Sequence, residues 1–492
     1  MSDDKDKKTP AKPSGVLLQA ENGDVIRYDP TGLQMVLSDH VIADIDRRLQ
    51  ERSSPEAEDA DDRIARATRG IDCWDVALDG EWCRFHARLP GRQGPRKFQR
   101  LTTNDPDASP PAIIACTQEP LIGLLGFGGQ RRALGVPEPC AYPFHILAPG
   151  DEIGAVGMAG LESATRCDTL LGLTEMTREA FIAETLLDMA LDRFAPLPLY
   201  LTRAETDSSA TAADLASGTA FDNIGQAMAN LKAAADRLGQ RAELAAIMLD
   251  FGLEDISDDA ESYQKAMLDL LDKLAAVAAE NGFRRPPVLS IFDCGTPQIS
   301  DGAILRAQWQ LSWMGLRHGL IYAAPGYMFE QDAYARPTPT ALRQMAEMQA
   351  HALAHLSVRD IWSCPTFLLA ERENDNQIRV RAEAMGPLII DTDAPFAVGP
   401  DTGFRLENET TGAKLTDVTI APDDPQDIVL SFDQPPQSDG QLRLLYAFDA
   451  PARETQDGYP AAAGAIRDDW GWNSPTGATL HRWALPAVLD VH

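Results

Sequence analysis

Positive charge is scarce in this sequence of 492 residues. Lysine and arginine together number 44, against 74 aspartates and glutamates, which gives a formal net charge of −30 at pH 7. Nucleic acids and anionic membrane surfaces attract basic patches, because their negative charge rewards lysine and arginine. The charge balance therefore predicts no nucleic-acid partner, and it indicates a strongly solvated surface.

Long apolar runs are also missing. No stretch approaches the roughly 18 apolar residues that a membrane-spanning helix requires. The opening residues, MSDDKDKKTPAKPSG, are polar and lack the apolar core of a secretory signal. We therefore expect a protein with no membrane span and no signal peptide, cytoplasmic as synthesised.

Paired cysteines and metal-ligand clusters are absent as well. The seven cysteines are scattered and include no CxxC pair, which predicts reduced thiols rather than a disulfide framework or a zinc site. His351 and His355 have the helical spacing that two metal ligands can use, but no third ligand stands nearby. We expect them to belong to the end of a helix, and we expect neither a metal nor a cofactor.

The length of the chain suggests roughly three domains. A polar tail over residues 1–14 is expected to be disordered. Residues 15–110 form a mixed α+β module, with a predicted hairpin over 16–29 that turns at Asn22 and Gly23. A proline-rich segment at 105–112 marks the boundary to the next domain.

Residues 111–384 alternate between strand-like and helix-like segments. Short continuous apolar runs at 121–127, 244–249 and 287–294 are typical of strands buried on both faces. Amphipathic helical segments lie between them, and Gly239 is placed to end one such helix. This alternation predicts an α/β fold with a doubly wound parallel sheet.

Two further helix boundaries can be predicted. Asp258 or Asp259 precedes a long amphipathic segment as an N-cap, and Thr338 precedes another, with Pro339 at the first helical position. After about Met385 the pattern changes to short alternating strands separated by Pro, Gly, Asp and Asn. Residues 385–492 are therefore expected to form a β-sandwich-like module.

A glycine-rich turn follows the first predicted strand of the α/β block, in GLLGFGGQRRALG at residues 123–135. In an open α/β sheet, the turns at the carboxyl ends of the strands present the functional groups. This turn presents two adjacent arginines, Arg131 and Arg132, instead of a nucleophile.

The order of these segments resembles the SGNH (GDSL-like) hydrolases, in particular the carbohydrate acetylesterase-like branch that includes phage-associated proteins. The resemblance spans roughly residues 112–490. One of the segments that carry it is SSATAADLASGTAFDNI, and the residues that match the family's motifs elsewhere are Gly129, Gln130, Ala133, Gly135, Gly252, Asp255, Pro337 and Thr338. It implies a three-layer, flavodoxin-like parallel sheet with an attached C-terminal β module.

The resemblance also implies that the family's catalytic residues are missing here. The nucleophilic serine would fall at Arg131, the oxyanion-binding asparagine at Arg132, and the histidine base at Arg336. The glycine pair of the oxyanion hole would fall at Ser208 and Ser209. A guanidinium group has only donors and stays protonated, so it can be neither nucleophile nor general base. We expect no catalytic residue and no activity by the family's mechanism.

The same edge of the sheet can bind instead of react. Arg131 and Arg132 suit a carboxylate or sulfate, because guanidinium groups form forked hydrogen bonds with such anions. Alternatively, they pair with Glu254 and Asp255 as a structural plug, and both interpretations stay open. The candidate binding residues are Gly129, Gln130, Arg131, Arg132, Ser208, Ser209, Gly252, Glu254, Asp255, Asp332 and Arg336.

Tryptophan is concentrated near the end of the chain, at Trp470, Trp472 and Trp483. Exposed aromatic rings can form platforms on which sugars stack or anchors in interfaces. They can equally cover the junction between the β module and the α/β block, which we favour.

These observations favour a catalytically degenerate SGNH-type protein. Its expected partner is a polysaccharide or cell-surface glycan. Alternatively, it serves as a structural or adhesion component among the proteins of a phage-like or gene-transfer particle, and it is then virion-associated after lysis. The alternative is a carbohydrate O-acetyl esterase whose nucleophile has moved to Ser208, Ser209 or Ser217. A serine–histidine pair in the cleft would distinguish the two.

Overall fold

The computed structural model describes most of the chain. The described residues are 15–19, 25–29, 32–45, 60–102, 110–129, 135–157, 162–207, 211–252, 259–294, 303–332, 336–397, 399, 401–448, 458–460 and 462–492. The predicted tail, the predicted turn at Asn22 and Gly23, and most of the predicted linker lie outside them.

The chain forms two compact units. The first comprises residues 1–71, 77–83 and 102–110, and the second comprises residues 72–76, 84–101 and 111–492. The described elements of the first unit include an antiparallel sheet of β1 (Gly15–Gln19), β2 (Val25–Asp29) and β3 (Gly32–Val36), the helical residues 39–45 (α1), and α2 (Ala60–Ala67). The pairing of β1 with β2 confirms the predicted hairpin.

A four-stranded sheet precedes the α/β part of the chain. Its strands, in spatial order, are β4 (Cys73–Asp79), β5 (Trp82–Ala87), β6 (Arg96–Leu101) and β7 (Ile113–Ala115).

The largest sheet has eight strands and is mainly parallel. Its strands are β8 (Leu121–Gly128), β9 (Ile146–Pro149), β10 (Val156–Gly157), β11 (Leu170–Gly172), β12 (Leu199–Thr206), β13 (Ala242–Asp250), β14 (Val288–Phe292) and β15 (Leu320–Pro325). The spatial order is β11-β9-β12-β8-β13-β14-β15, with β10 beside β12, and only β11 runs antiparallel to its neighbour. The three strands predicted in this block are confirmed as β8, β13 and β14.

Helices cover both faces of this sheet. They are α3 (Arg178–Asp192), α4 (Ala212–Leu215), α5 (Thr219–Leu238), α6 (Ala260–Glu280), α7 (Ala303–Met314) and α8 (Pro339–Ser357). Successive side chains of a strand point to opposite faces: Leu124 of β8 belongs to the core that contains α3 and α8, whereas Phe127 packs against Phe221 of α5. The chain therefore has the mixed α/β fold that the alternation predicts.

Helix boundaries follow the predicted capping residues. Asp259 accepts hydrogen bonds from the first turn of α6, and Thr338 accepts one from Ala341 at the start of α8. Gly239 ends α5 in the left-handed conformation, at φ 68°, which glycine adopts at little cost.

The remainder of the chain is β-rich and antiparallel. Its described strands form three sheets. In spatial order, the first sheet contains β16 (Thr366–Asn374), β17 (Gln377–Glu383), β21 (Asp427–Phe432) and β20 (Leu415–Ile420), and the second contains β18 (Ile389–Ile390), β23 (Ile466–Asn473) and β24 (Thr479–Trp483). The third contains β19 (Phe404–Glu407), β22 (Arg443–Tyr446) and β25 (Ala487–Asp490). The first of these sheets includes two strands that precede residue 385, where the β module was expected to begin.

The β-rich part and the α/β part share one hydrophobic core. Trp470 and Trp472 pack against His351 of α8, with ring centroids 5.2 and 4.4 Å apart. Trp483 is buried against Phe396. These contacts agree with the prediction that the tryptophans cover the junction between the two parts.

The histidine pair of α8 has structural neighbours. His355 forms a 2.8 Å hydrogen bond with Asp360 just beyond the helix. Within the described ranges, no group of three or more His, Cys, Asp or Glu side chains is arranged to hold a metal ion. No described helix is long and apolar enough to cross a membrane.

Candidate ligand-binding site

Four of the predicted site residues lie in the described part of the chain: Gly129, Gly252, Asp332 and Arg336. The other predicted residues, which lie outside it, are Gln130, Arg131, Arg132, Ser208, Ser209, Glu254 and Asp255. The pairing of the two adjacent arginines with Glu254 and Asp255 therefore stays a prediction.

The carboxyl ends of the adjacent strands β8 and β13 meet closely at one edge of the eight-stranded sheet. The backbone N–H of Gly129, which follows β8, donates to the carbonyl of Asp250 at the end of β13, at 3.3 Å. A Cβ atom on Gly128 would overlap that carbonyl, so β8 must end in glycine for β13 to approach it. The glycine at position 128 is thus a consequence of close strand packing.

A buried ion pair lies at the centre of the edge. Arg178, the first residue of α3, is 5% exposed, and its guanidinium contacts the carboxylate of Asp250. The other oxygen of that carboxylate accepts from the backbone N–H of Ile291 at 3.0 Å and from Ser290 Oγ at 3.4 Å. The ion pair therefore links α3, β13 and β14.

Asp293, at the end of β14, is held by Gln308 of α7. Gln308 Oε1 accepts from the Asp293 backbone N–H at 2.9 Å, and its Nε2 donates to Asp293 Oδ2 at 3.1 Å. The carboxylate lies against Gly252, where any Cβ would overlap it. Gly252 is a predicted site residue, and its role is to leave room for Asp293.

These groups border a small cavity of about 50 Å³. Its polar lining residues are Arg178, Asp250, Asp293, Cys294 and Gln331, and its other lining residues are Ile291, Phe292, Gly326, Pro337 and Met345. A volume of this size holds one or two water-sized groups, whereas pockets that enclose whole small ligands measure roughly 300–1,000 Å³. Among the described residues, the cavity can admit one polar group of a larger ligand.

Arg336 and Asp332 pair with each other within one turn. Arg336 Nε and Nη2 lie 2.9 and 2.8 Å from Asp332 Oδ2, and the Arg336 backbone N–H donates to Oδ1 at 3.0 Å. The side chains are 47% and 37% exposed. At the position where the resemblance places a histidine base, the chain therefore has an exposed ion pair.

Histidine is absent from the cavity lining, although all eight histidines lie in the described residues. His145 is buried and its Nδ1–H donates to the carbonyl of Pro198 at 3.0 Å, and burial lowers its pKa to about 4. His318, His355 and His481 hydrogen-bond to Asp272, Asp360 and the Trp470 carbonyl. No described histidine is hydrogen-bonded to a serine.

Of the three alternative nucleophiles, Ser217 lies in the described part of the chain. Ser217 is exposed and donates to the carbonyl of Asp214 at 3.2 Å, where it completes the turn between α4 and α5. Ser208 and Ser209 lie outside the described residues. The Ser217 hydroxyl therefore donates to a backbone carbonyl, which is not a base.

Sequence reasoning missed the central residues of this site. Arg178 and Asp250 are far apart in sequence, and no motif connects them. A usable signal was present for Asp250 and Asp293, since each is a carboxylate directly at or after the end of a predicted buried strand, where side chains converge on one edge.

No family model matches the chain, and no curated protein matches it. Among solved structures, the chain is similar to a carbohydrate acetylesterase from Xanthomonas citri, with 13% identity over 96% of this chain and 92% of that chain, at a TM-score of 0.49. It is also similar to NanS, with 11% identity over 49% of this chain and 99% of that chain, at a TM-score of 0.34. Neither score reaches 0.5.

Proposed function

We propose that this chain is a non-hydrolysing protein of the SGNH type that binds a carbohydrate at the carboxyl edge of its parallel sheet. One observation carries the proposal: none of the eight histidines lines the cavity at that edge, and Arg336 stands where the resemblance places the base. A serine hydroxyl needs a base within about 2.6–3.2 Å to act as a nucleophile. Arginine cannot serve, because it keeps its proton.

The polar residues of the cavity suit the recognition of hydroxyl groups. A sugar hydroxyl both donates and accepts hydrogen bonds. Asp250 and Asp293 offer acceptors, while Arg178 and Gln331 offer donors. The cavity volume of about 50 Å³ fits one such group, and the rest of the sugar would lie over the turns at the edge.

The resemblance to phage-associated members extends the proposal to an adhesion or structural component of a particle released by lysis. This extension rests on the resemblance alone. Its test is whether the chain copurifies with particles from a lysed culture.

An activity assay tests the absence of hydrolysis. We expect purified protein to release no more product from p-nitrophenyl acetate or acetylated xylan than a buffer control, while an active acetylesterase run in parallel does. Turnover that disappears in Ser208→Ala or Ser209→Ala would replace the proposal with the esterase whose nucleophile has moved.

A printed array of plant and bacterial glycans tests binding. We expect Asp293→Asn to weaken binding of the best array glycan roughly tenfold, because a charged acceptor makes a stronger hydrogen bond than an amide. Asp269→Asn, on the exposed face of α6, is the matched control and should bind as the wild type does. A wild-type chain that binds no array glycan contradicts the proposal.

A further inference from the structure

A second buried charged cluster lies at the carboxyl end of β12. Arg203 and Glu205 are fully buried, and Asp151 is nearly so. Arg203 Nε donates to Glu205 Oε1 at 2.6 Å, and its Nη1 donates to Asp151 Oδ1 at 3.1 Å and to the Gly154 carbonyl at 2.7 Å. The cluster therefore attaches the segment around residues 151–154 to β12.

Asn223, on α5, extends this cluster to the next segment. Its Nδ2 donates to Glu205 Oε2 at 3.2 Å and to the Glu162 carbonyl at 2.9 Å, and its Oδ1 accepts from the Ala164 backbone N–H at 2.7 Å. Its side-chain amide thus uses both donors and its acceptor. One buried side chain joins a strand, a helix and a segment without regular structure.

Asn230, two helical turns further along α5, repeats this arrangement. Its Oδ1 accepts from the Cys167 backbone N–H at 3.0 Å, and its Nδ2 donates to the Thr165 carbonyl at 2.9 Å. Residues 151–157 and 162–168, which we call the strap, are therefore attached by side chains to β12 and α5 at successive points.

The strap pairs with the end of β12, at the carboxyl edge of the sheet that also carries the candidate site. Gly157 pairs with Glu205, and its carbonyl accepts from Thr206 Oγ1 at 3.3 Å. The next residue, Asp207, donates its backbone N–H to the carbonyl of Gly128 at the end of β8. The strap therefore lies at the same edge of the sheet as the ends of β8 and β13, and β12 separates it from β8.

The outer side of the strap is polar and exposed. Glu162, Ser163 and Arg166 all project their side chains into solvent. Their backbone neighbours, by contrast, are bound to buried asparagines. Such a segment presents hydrogen-bonding groups from a fixed backbone.

We propose that the strap is a preorganised wall of the carbohydrate site and that Asn223 is its positioning residue. This inference rests on the proposed function. Burying an arginine with two carboxylates carries a desolvation cost, so the cluster is better suited to fixing one conformation than to adding stability. A loop that is ordered before the ligand arrives loses less conformational freedom on binding, which strengthens binding.

Hydrogen–deuterium exchange tests whether Asn223 holds the strap. In the wild type, we expect peptides covering residues 162–168 to exchange slowly although they contain no helix or strand. In Asn223→Ala, exchange over 162–166 should be at least roughly tenfold faster, because three hydrogen bonds to the strap and Glu205 are lost. Ile224→Val, in the buried face of the same helix, is the control for general loosening and should leave the strap protected.

Binding to the glycan array then tests whether the held strap serves the site. We expect Asn223→Ala to weaken binding of the best array glycan roughly tenfold and Ile224→Val to leave it unchanged. Rapid exchange of the strap in the wild type, unchanged exchange in Asn223→Ala, or a loosened strap with unchanged binding would each overturn the inference. If the wild type binds no glycan, the proposed function fails, and with it the claim that the strap is a wall of a carbohydrate site. The exchange result still decides whether Asn223 positions the strap. If Asn223→Ala does not fold, Asn223→Ser and the wild-type exchange rates carry the test.

Discussion

Arg203 and Arg178 approach the same sheet edge from the two sides of β8, and both are buried beside carboxylates. Arg203 lies on β12, is fully buried, and reaches two carboxylates and a carbonyl. Arg178 contacts the carboxylate of Asp250 and borders a cavity. Burial of an arginine is therefore shared by both places, and the cavity beside Arg178 is what distinguishes the proposed ligand site.

The two pairs also differ in how their charge is compensated. One guanidinium faces two carboxylates in the Arg203 cluster, and burial raises the pKa of Glu205. Asp250 contacts Arg178 and also accepts hydrogen bonds from Ser290 and from the Ile291 backbone N–H. Burial thus favours the protonated form of Glu205, which reduces the negative charge that the Arg203 cluster holds in the core.

The largest effect is expected from removing Arg203. Arg203→Met leaves Asp151 and Glu205 buried without their cation, and breaking a buried pair in this way costs about 3–5 kcal/mol in the free energy of unfolding. The cost should be smaller at pH 5 than at pH 8, because a carboxyl group with a raised pKa can take up a proton. Urea unfolding at both pH values measures this.

The matched control for that experiment is Arg241→Met, which removes an exposed arginine paired with Glu243. Exposed pairs contribute less than about 1 kcal/mol. If Arg203→Met lowers the free energy of unfolding no more than Arg241→Met does, then the buried Arg203 contributes no more to stability than an exposed arginine. The distinction between Arg203 and Arg178 then fails.

The next largest effect is expected from His145, whose side chain is buried. Burial lowers its pKa to about 4, from the usual 6.5, so the unfolded chain binds the proton more tightly than the folded chain. The stability that this shift contributes is present above pH 6.5 and is lost as the pH falls to about 4. The shift corresponds to roughly 3 kcal/mol.

His145→Asn tests that expectation, since asparagine can still donate to the Pro198 carbonyl but does not titrate. Between pH 7 and pH 4, the free energy of unfolding of the variant should fall by roughly 3 kcal/mol less than that of the wild type. His318→Asn, at a more exposed position, is the control. Equal acid sensitivity in wild type and His145→Asn would contradict the prediction.

A smaller effect is expected at Arg178, because water or a ligand can reach its cavity. Arg178→Met should cost about 2 kcal/mol, less than Arg203→Met, since Asp250 keeps its bonds from Ile291 and Ser290. In a double-mutant cycle, Arg178→Met combined with Asp250→Asn should recover part of the loss. Glycan binding should fall in both single variants. If Arg178→Met lowers the free energy of unfolding as much as Arg203→Met does, Arg178 is a structural arginine as well.

Local structure could be predicted where short-range signals exist. The strands β8, β13 and β14 are continuous apolar runs, and Asp259, Thr338 and Gly239 mark helix ends by hydrogen bonding or backbone conformation within a few residues. Such features depend on neighbours in sequence, and they are confirmed by the structure.

Long-range pairing could not be predicted in this way. Nothing near Arg178 indicates that it will meet Asp250, because that contact depends on how α3 packs against the sheet. Asn223 and Asn230 carried a signal that went unused: two asparagines seven residues apart on the apolar face of α5 must find buried partners. The same limit applies to β16 and β17, which join a sheet whose other strands lie later in the chain.

The smallest effect is expected at Arg336, the predicted site residue at the position of the missing base. Its pair with Asp332 is exposed, and exposed pairs contribute up to about 1 kcal/mol, so Arg336→Ala should shift the urea midpoint little. The turn should persist in this variant, because the backbone N–H of residue 336 still donates to Asp332. Asp332→Ala removes that bond too and should cost more than Arg336→Ala. Stability and array binding must be measured on the same samples, because they separate two roles for Arg336. Weaker glycan binding at unchanged stability would place Arg336 with Arg178 as an arginine that faces the ligand. A loss of stability as large as that of Arg203→Met would contradict the comparison, because an exposed arginine would then matter as much to stability as the fully buried Arg203.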